Sequence, residues 1–116
     1  LEIKVSLVQQ QAEFLLSVCD LIKFATAAGF QVTGGELFRT TEQQKIYVQT
    51  GRSKTMNSNH LRRLAVDLNF IKDGKLCYDK ELLSPIGIYW QSLHPQNRWG
   101  GFFKSFIDMP HFERNV

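Results

Sequence analysis

His60, Asp67 and His111 are the residues of this 116-residue chain whose types best suit metal chemistry. Two imidazoles and a carboxylate supply nitrogen, oxygen and nitrogen, a donor set that leaves one position of a tetrahedral zinc ion open to water or substrate. A structural zinc site would fill all four positions, usually with several thiolates. The two cysteines present, Cys19 and Cys77, stand far apart and cannot build one. Asp108 precedes His111 by three residues with Pro110 between them, which puts a second carboxylate beside such an ion without requiring it to bind. A carboxylate in that place can take a proton from an activated water, so the pattern points to hydrolysis.

The chain between these residues has to bring them together. Seven extended residues would span roughly 23 Å, whereas two ligands of one ion must meet within a few ångströms, so a turn is required between His60 and Asp67. Residues 61–63 are the expected place for it. Residues 64–70 then have the length and composition of a strand, with Leu64, Val66, Leu68 and Phe70 on one face and Asp67 on the other.

Asp73-Gly74 is a hairpin signal, which makes residues 75–78 the returning strand. Upstream, residues 8–29 place Leu15, Val18, Cys19, Ile22 and Ala25 at helical spacing, with Gly29 as the stop. Residues 30–33 are expected to form a short strand closed by Gly34-Gly35. A second helix should begin near Thr40 or Thr41, capped with Gln43 or Gln44 and stopped at Gly51. Residues 79–94 read as a helix entered through Asp79 and disturbed by Pro85, and the segment from Arg98 onward as loop and strand. The expected fold class is α+β, a small antiparallel sheet with helices packed on one side and a single zinc site in a cleft, all in one domain over residues 1–116.

Composition agrees with a single folded domain. Hydrophobic residues make up 43% and charged residues 22%, without any low-complexity stretch that would suggest disorder. The formal net charge of +3 would suit an acidic polymer, but the basic residues are dispersed, with only Arg62 and Arg63 adjacent. No nucleic-acid partner is therefore expected. No apolar run reaches the length of about 20 residues that a membrane span needs. The chain opens on Leu1 without a Met, which leaves room for preceding residues or an export signal, and within it no charged-then-apolar leader pattern occurs. Both cysteines sit among apolar residues and read as buried free thiols, with a disulfide between them as the alternative.

Ser58-Asn59-His60 followed by Ala65-Val66-Asp67 resembles the first signature of the bacterial zinc D-alanyl-D-alanine carboxypeptidase and dipeptidase family. Asp108-Met109-Pro110-His111-Phe112-Glu113 is similar to its second signature, an acidic residue three positions before the last ligand. Trp99-Gly100-Gly101 looks like the family's tryptophan-glycine segment, and Arg39-Thr40 with Glu42-Gln43-Gln44 and Tyr47 like its arginine-bearing helix start. The likeness runs in order from about residue 33 to 113. It implies one zinc ion held by His60, Asp67 and His111, catalysis by Asp108, and substrate handling by Arg39 and Ser58. The compact phage and prophage endolysins that cut the L-alanyl-D-glutamate bond of peptidoglycan are similar in size and in the aspartate at 108. One departure is Arg63, where many members carry glycine; if that position needs positive φ, arginine is strained there.

Arg39 stands just before a helix N-terminus, where a positive charge is disfavoured by the macrodipole, so a ligand-binding role for its planar fork is expected. Trp99 either walls the cleft against substrate or packs the last loop. Glu113 reads as a carboxylate that orients a ligating histidine or plays a structural part. The expected activity is hydrolysis of a peptide bond in the peptidoglycan stem peptide, of L-alanyl-D-glutamate endopeptidase or D-alanyl-D-alanine carboxypeptidase type, by a monomer. The expected place of action is the bacterial cell wall or periplasm, with a cytoplasmic stage in a phage-infected cell until lysis. The alternative is a noncatalytic wall-binding or protein-interaction module on the same fold.

Overall fold

The computed structural model describes residues 5–116. Ser6 caps the first helix, α1 (Leu7–Ala27), through a reciprocal capping box with Gln9. Gly29, at φ 98°, turns the chain into strand β1 (Gln31–Gly34). Helix α2 (Thr41–Gln49) is capped by Thr40, whose hydroxyl accepts from the Gln43 amide. A 3-10 turn, η1 (Asn59–Arg62), leads into strand β2 (Ala65–Lys72).

Asp73 and Gly74, both at positive φ, make the hairpin to strand β3 (Lys75–Leu76), which is shorter than residues 75–78. Asp79 caps helix α3 (Lys80–Ser92), which runs through Pro85 without a break. The last elements are β4 (Asn97–Trp99), the 3-10 turn η2 (Gly100–Phe102) and β5 (His111–Arg114).

The sheet has the order β1-β2-β5-β4, with β3 paired to β2, and every pairing is antiparallel. Leu64, Val66, Leu68 and Phe70 are all buried on one face, together with Phe112 and Trp99. Helices α1 and α3 supply Phe14, Val18, Leu21, Leu83, Ile86 and Trp90 to the same core. Burial of this apolar surface, at roughly 25 cal/mol per Å², is the main force that holds the helices to the sheet. Helix α2 contributes nothing to that core, and its Tyr47 instead lines the cleft. No helix among the described residues is long and apolar enough to cross a membrane.

Two further expectations are corrected. The buried stripe of α1 runs through Phe14, Val18, Leu21 and Ala25, so Leu15 and Cys19 face outward. The helix is apolar around much of its girth there, and periodicity alone does not choose between two stripes that share Val18 and Ala25. Neither cysteine is a buried thiol: Cys19 is exposed, Cys77 is half-buried, and both are free, so no disulfide links them.

Candidate metal centre and cleft

Asp67 and His111 are direct cross-strand partners in the β2–β5 ladder. Residues opposed in this way present side chains to the same face with Cβ atoms about 5 Å apart. That face is the reverse of the one bearing Val66 and Leu68, so the pair looks away from the apolar core. The main chain of Asp67 is held on its other side, where its amide donates to the Glu36 carbonyl at 2.9 Å and its carbonyl accepts from the Gly35 amide at 2.7 Å.

His60 reaches the pair from η1. The Ser58 hydroxyl caps that turn by accepting from the His60 amide at 3.2 Å. Arg63 ends it in the left-handed conformation at φ 56°, so this chain meets with arginine the positive φ for which glycine is the easy choice. The Arg63 guanidinium lies 4.2 Å from the Phe38 ring centre. The turn expected over residues 61–63 is this one.

Hydrogen bonding selects a tautomer for each imidazole. His60 Nδ1 lies 3.0 Å from the Leu37 carbonyl, which can only accept, so Nδ1 carries the proton and Nε2 the lone pair. His111 Nε2 lies 2.7 Å from Glu113 Oε1, which leaves His111 Nδ1 to present a lone pair. These nitrogens face Asp67 Oδ1 at 3.3 Å from His60 Nε2 and 3.6 Å from His111 Nδ1. One ligand atom from each residue lies within 4.8 Å of the others.

The donor set fits a divalent cation. His60 Nε2 and Asp67 Oδ1 are buried without a hydrogen-bond partner, an arrangement that costs about 1–3 kcal/mol per group unless something else binds there. Tetrahedral ligands at zinc distances stand about 3.4 Å from one another, close to the two separations found here. His60, Asp67 and His111 can therefore hold a metal ion.

The titration behaviour of the metal-free site has the same origin. Burial pushes the Asp67 carboxyl up, but the two imidazoles outweigh it and hold Asp67 well below the ordinary carboxylate range. Burial depresses His111, yet the neighbouring carboxylates of Asp67 and Glu113, with the charge of Asp108, raise it to about 9. Glu113 is pushed up by burial and pulled further down by His111 and Arg98.

Asp108 behaves in the opposite way. Burial raises its carboxyl above the ordinary value and the charge of Asp67 adds to this, against the pull of His111, His60 and Arg39. Its position depends on a tight turn: the Asp108 amide donates to the Gly100 carbonyl at 2.9 Å, and the His111 amide to the Asp108 carbonyl at 3.1 Å.

His60, Asp67, His111 and Asp108 share a cleft of about 800 Å³, which Arg39 and Ser58 also line. Arg39 Nε pairs with Glu36, while its Nη1 donates to Gln44 Oε1 at 2.7 Å and to Ser58 Oγ at 3.4 Å. Its guanidinium lies 4.6 Å from the Tyr47 ring centre. Trp99 does not line the cleft. It is fully buried against α3 and β5, and its indole N–H donates to the Met109 carbonyl at 2.8 Å, so it packs the last loop.

Glu36, Gln44 and Arg98 were not singled out from the sequence as parts of the site. Gln44 stands in the sequence as a capping candidate at a helix start, Glu36 lies outside every signature, and Arg98 reaches Glu113 only because β4 and β5 pair. Their contacts are long-range or lie within irregular chain, where spacing carries no signal.

Comparison with known proteins agrees with this architecture. Residues 51–114 match the profile of a family described as D-alanyl-D-alanine carboxypeptidase. The L-alanyl-D-glutamate peptidase of Listeria phage A118 is 32% identical over 98 residues, which cover 82% of this chain and 34% of that relative. The chain thus spans about a third of the curated relative's length. The crystal structure of the L-Ala D-Glu endopeptidase ChiX of Serratia marcescens superposes with a TM-score of 0.67 at 24% identity, covering 84% of this chain and 77% of that one. At that level of identity the likeness is one of fold.

Proposed function

The chain belongs to the D-alanyl-D-alanine carboxypeptidase family, and from that premise we propose that it is a zinc-dependent peptidase of the peptidoglycan stem peptide. The bond proposed is L-alanyl-D-glutamate, the one named for the phage relative that matches most of this chain. The observation that carries the reading is the meeting of two imidazole lone pairs and one carboxylate oxygen in a cleft that also holds a basic aspartate.

His60 Nε2, Asp67 Oδ1 and His111 Nδ1 would hold the ion. Zinc, when bound, supplies the Lewis acidity that makes water nucleophilic near neutral pH and polarises a carbonyl. Asp108 accepts the proton that the attacking water loses and returns it to the departing amine, so that one peptide bond and one water become an acid and an amine. Arg39, its planar fork aimed by Glu36 and Gln44, binds a carbonyl or carboxylate of the substrate, and Ser58 adds a hydrogen bond. One chain supplies every residue named, so a monomer suffices. The site of action is the cell wall, reached from within in the setting of a phage-infected cell.

Asp108→Ala should leave zinc bound and end cleavage of purified muropeptides, read by mass spectrometry, whereas His60→Ala should lower the zinc content itself. Wild-type cleavage by both variants would refute the assignment. A protein that held zinc and cut no muropeptide would instead support a noncatalytic wall-binding module.

A further inference from the structure

The charges along the cleft do not balance. Among the four cations that line it, Arg39 is paired with Glu36 and Arg98 with Glu113. Arg52 and Lys54 make no ion pair with any carboxylate among the described residues. Both are on the segment after α2, and that segment is built into place. The amides of Arg52 and Ser53 donate to the Tyr47 carbonyl at 2.8 and 3.1 Å. The Gln44 side chain, fully buried, donates to Ser53 Oγ at 2.9 Å and to the Thr55 carbonyl at 2.6 Å.

Because Gln44 Oε1 also accepts from Arg39, one buried amide ties this segment to the arginine on the cleft floor. Arg52 and Arg39 share the Tyr47 ring, at 5.7 and 4.6 Å from its centre. Lys54 points across the mouth, its Nζ 3.4 Å from the Ser105 carbonyl and 5.6 Å from the Phe106 ring centre. A carbonyl and an aromatic face are weak partners for an ammonium group, and a carboxylate that arrived there would replace them with charge-assisted bonds.

We propose that Arg52 and Lys54 form a carboxylate subsite at the mouth of the cleft, separate from the hydrolytic centre, which anchors an acidic peptide and sets its direction along the groove. The identity of that peptide rests on the peptidase reading. In a stem peptide two carboxylates qualify: the α-carboxylate left free where D-glutamate is joined through its side chain, and the C-terminal carboxylate.

The test uses the metal-loaded Asp108→Ala protein, so that binding is measured without turnover. The ligands are acetyl-L-Ala-γ-D-Glu-L-Lys-D-Ala and two analogues, one amidated at the D-glutamate α-carboxylate and one at the C-terminus. Adding Arg52→Ala with Lys54→Ala, both exposed positions, should weaken binding of the parent peptide by about tenfold while the circular dichroism spectrum stays unchanged. One of the two amides should lose the same factor and no longer respond to the double substitution, which identifies the carboxylate. With the active enzyme, KM should rise by a similar factor and kcat should move much less.

Equal binding of the parent peptide with and without the two cations overturns the proposal. So does full-strength binding of both amides, or a loss confined to whole walls bearing anionic polymers. Failure of the peptidase reading shows separately, as absence of any cleavage while the difference in binding persists.

Discussion

An imidazole offers one nitrogen to a cation while the other keeps its proton, and here the neighbours make that choice for both histidines. The Leu37 carbonyl holds the proton on His60 Nδ1, and Glu113, itself tied to Arg98, holds it on His111 Nε2. Partners of this kind are worth about ten- to hundredfold in metal affinity. Glu113→Ala should therefore weaken zinc binding by about that factor in chelator competition, and Glu113→Gln, which keeps an acceptor, by less; an alanine variant as tight as the native protein would show that the carboxylate does not orient His111. Arg63 stores a second cost, because left-handed backbone disfavours a side chain by roughly 1–2 kcal/mol. Its contact with Phe38 offsets part of this, so Arg63→Gly should change stability little. Arg63→Val, branched at Cβ and without the cation, should lose roughly 1–2 kcal/mol in urea denaturation.

Among the elements, the β2–β5 ladder and the turn before β5 do most of the positioning. The ladder sets Asp67 opposite His111, and the turn must pass close beneath Gly100 to carry Asp108 into the cleft. A Cβ at Gly100 would lie 2.0 Å from the Asp108 carbonyl oxygen and 3.0 Å from His111 Cβ, and backbone atoms cannot swing aside as a side-chain tip can. Gly100→Ala should therefore displace Asp108, the proposed general base, and His111, a proposed ligand, together. The expected result is loss of both cleavage and zinc content in a protein that still shows its far-ultraviolet spectrum, and normal zinc content in that variant would contradict this account of the turn. Helix α3 is fitted to the same region, since Gly87 leaves room for the Trp99 ring and a Cβ there would stand 2.1 Å from it.

At the scale of the whole molecule, one side of the sheet packs the apolar core, and on the other, at the cleft, Asp67 Oδ1 and His60 Nε2 are buried without hydrogen-bond partners. The fold therefore carries a cost at the cleft that a bound cation removes. A ligand that binds only the folded state at a hundred times its dissociation constant adds about 2.7 kcal/mol. Zinc at that concentration should accordingly raise the thermal midpoint of the metal-free protein by roughly 10–20 °C, since about 4–8 °C per kcal/mol is usual for domains a little smaller than this one. Chelator should reverse the rise and end cleavage. A midpoint indifferent to zinc in scanning calorimetry would mean that the three side chains do not close on an ion.

Much of this was legible from residue types and order. The α+β class, the hairpin at Asp73-Gly74, the caps at Thr40 and Asp79, and the alternation of Leu64, Val66, Leu68 and Phe70 are local properties, set by neighbours a few positions away. So was the candidacy of His60, Asp67, His111 and Asp108, because few residue types bind metals or move protons. Tertiary structure alone decided the rest. It chose the α1 stripe through Phe14 and Leu21 over the one through Leu15 and Cys19, because which side of a broadly apolar helix is covered depends on what packs against it. It buried Trp99, tied Arg98 to Glu113, and made Gln44 the link between Arg39 and the Arg52–Lys54 segment. Those contacts join residues distant in the chain or held in irregular backbone, and no periodicity in a sequence records which of them will meet.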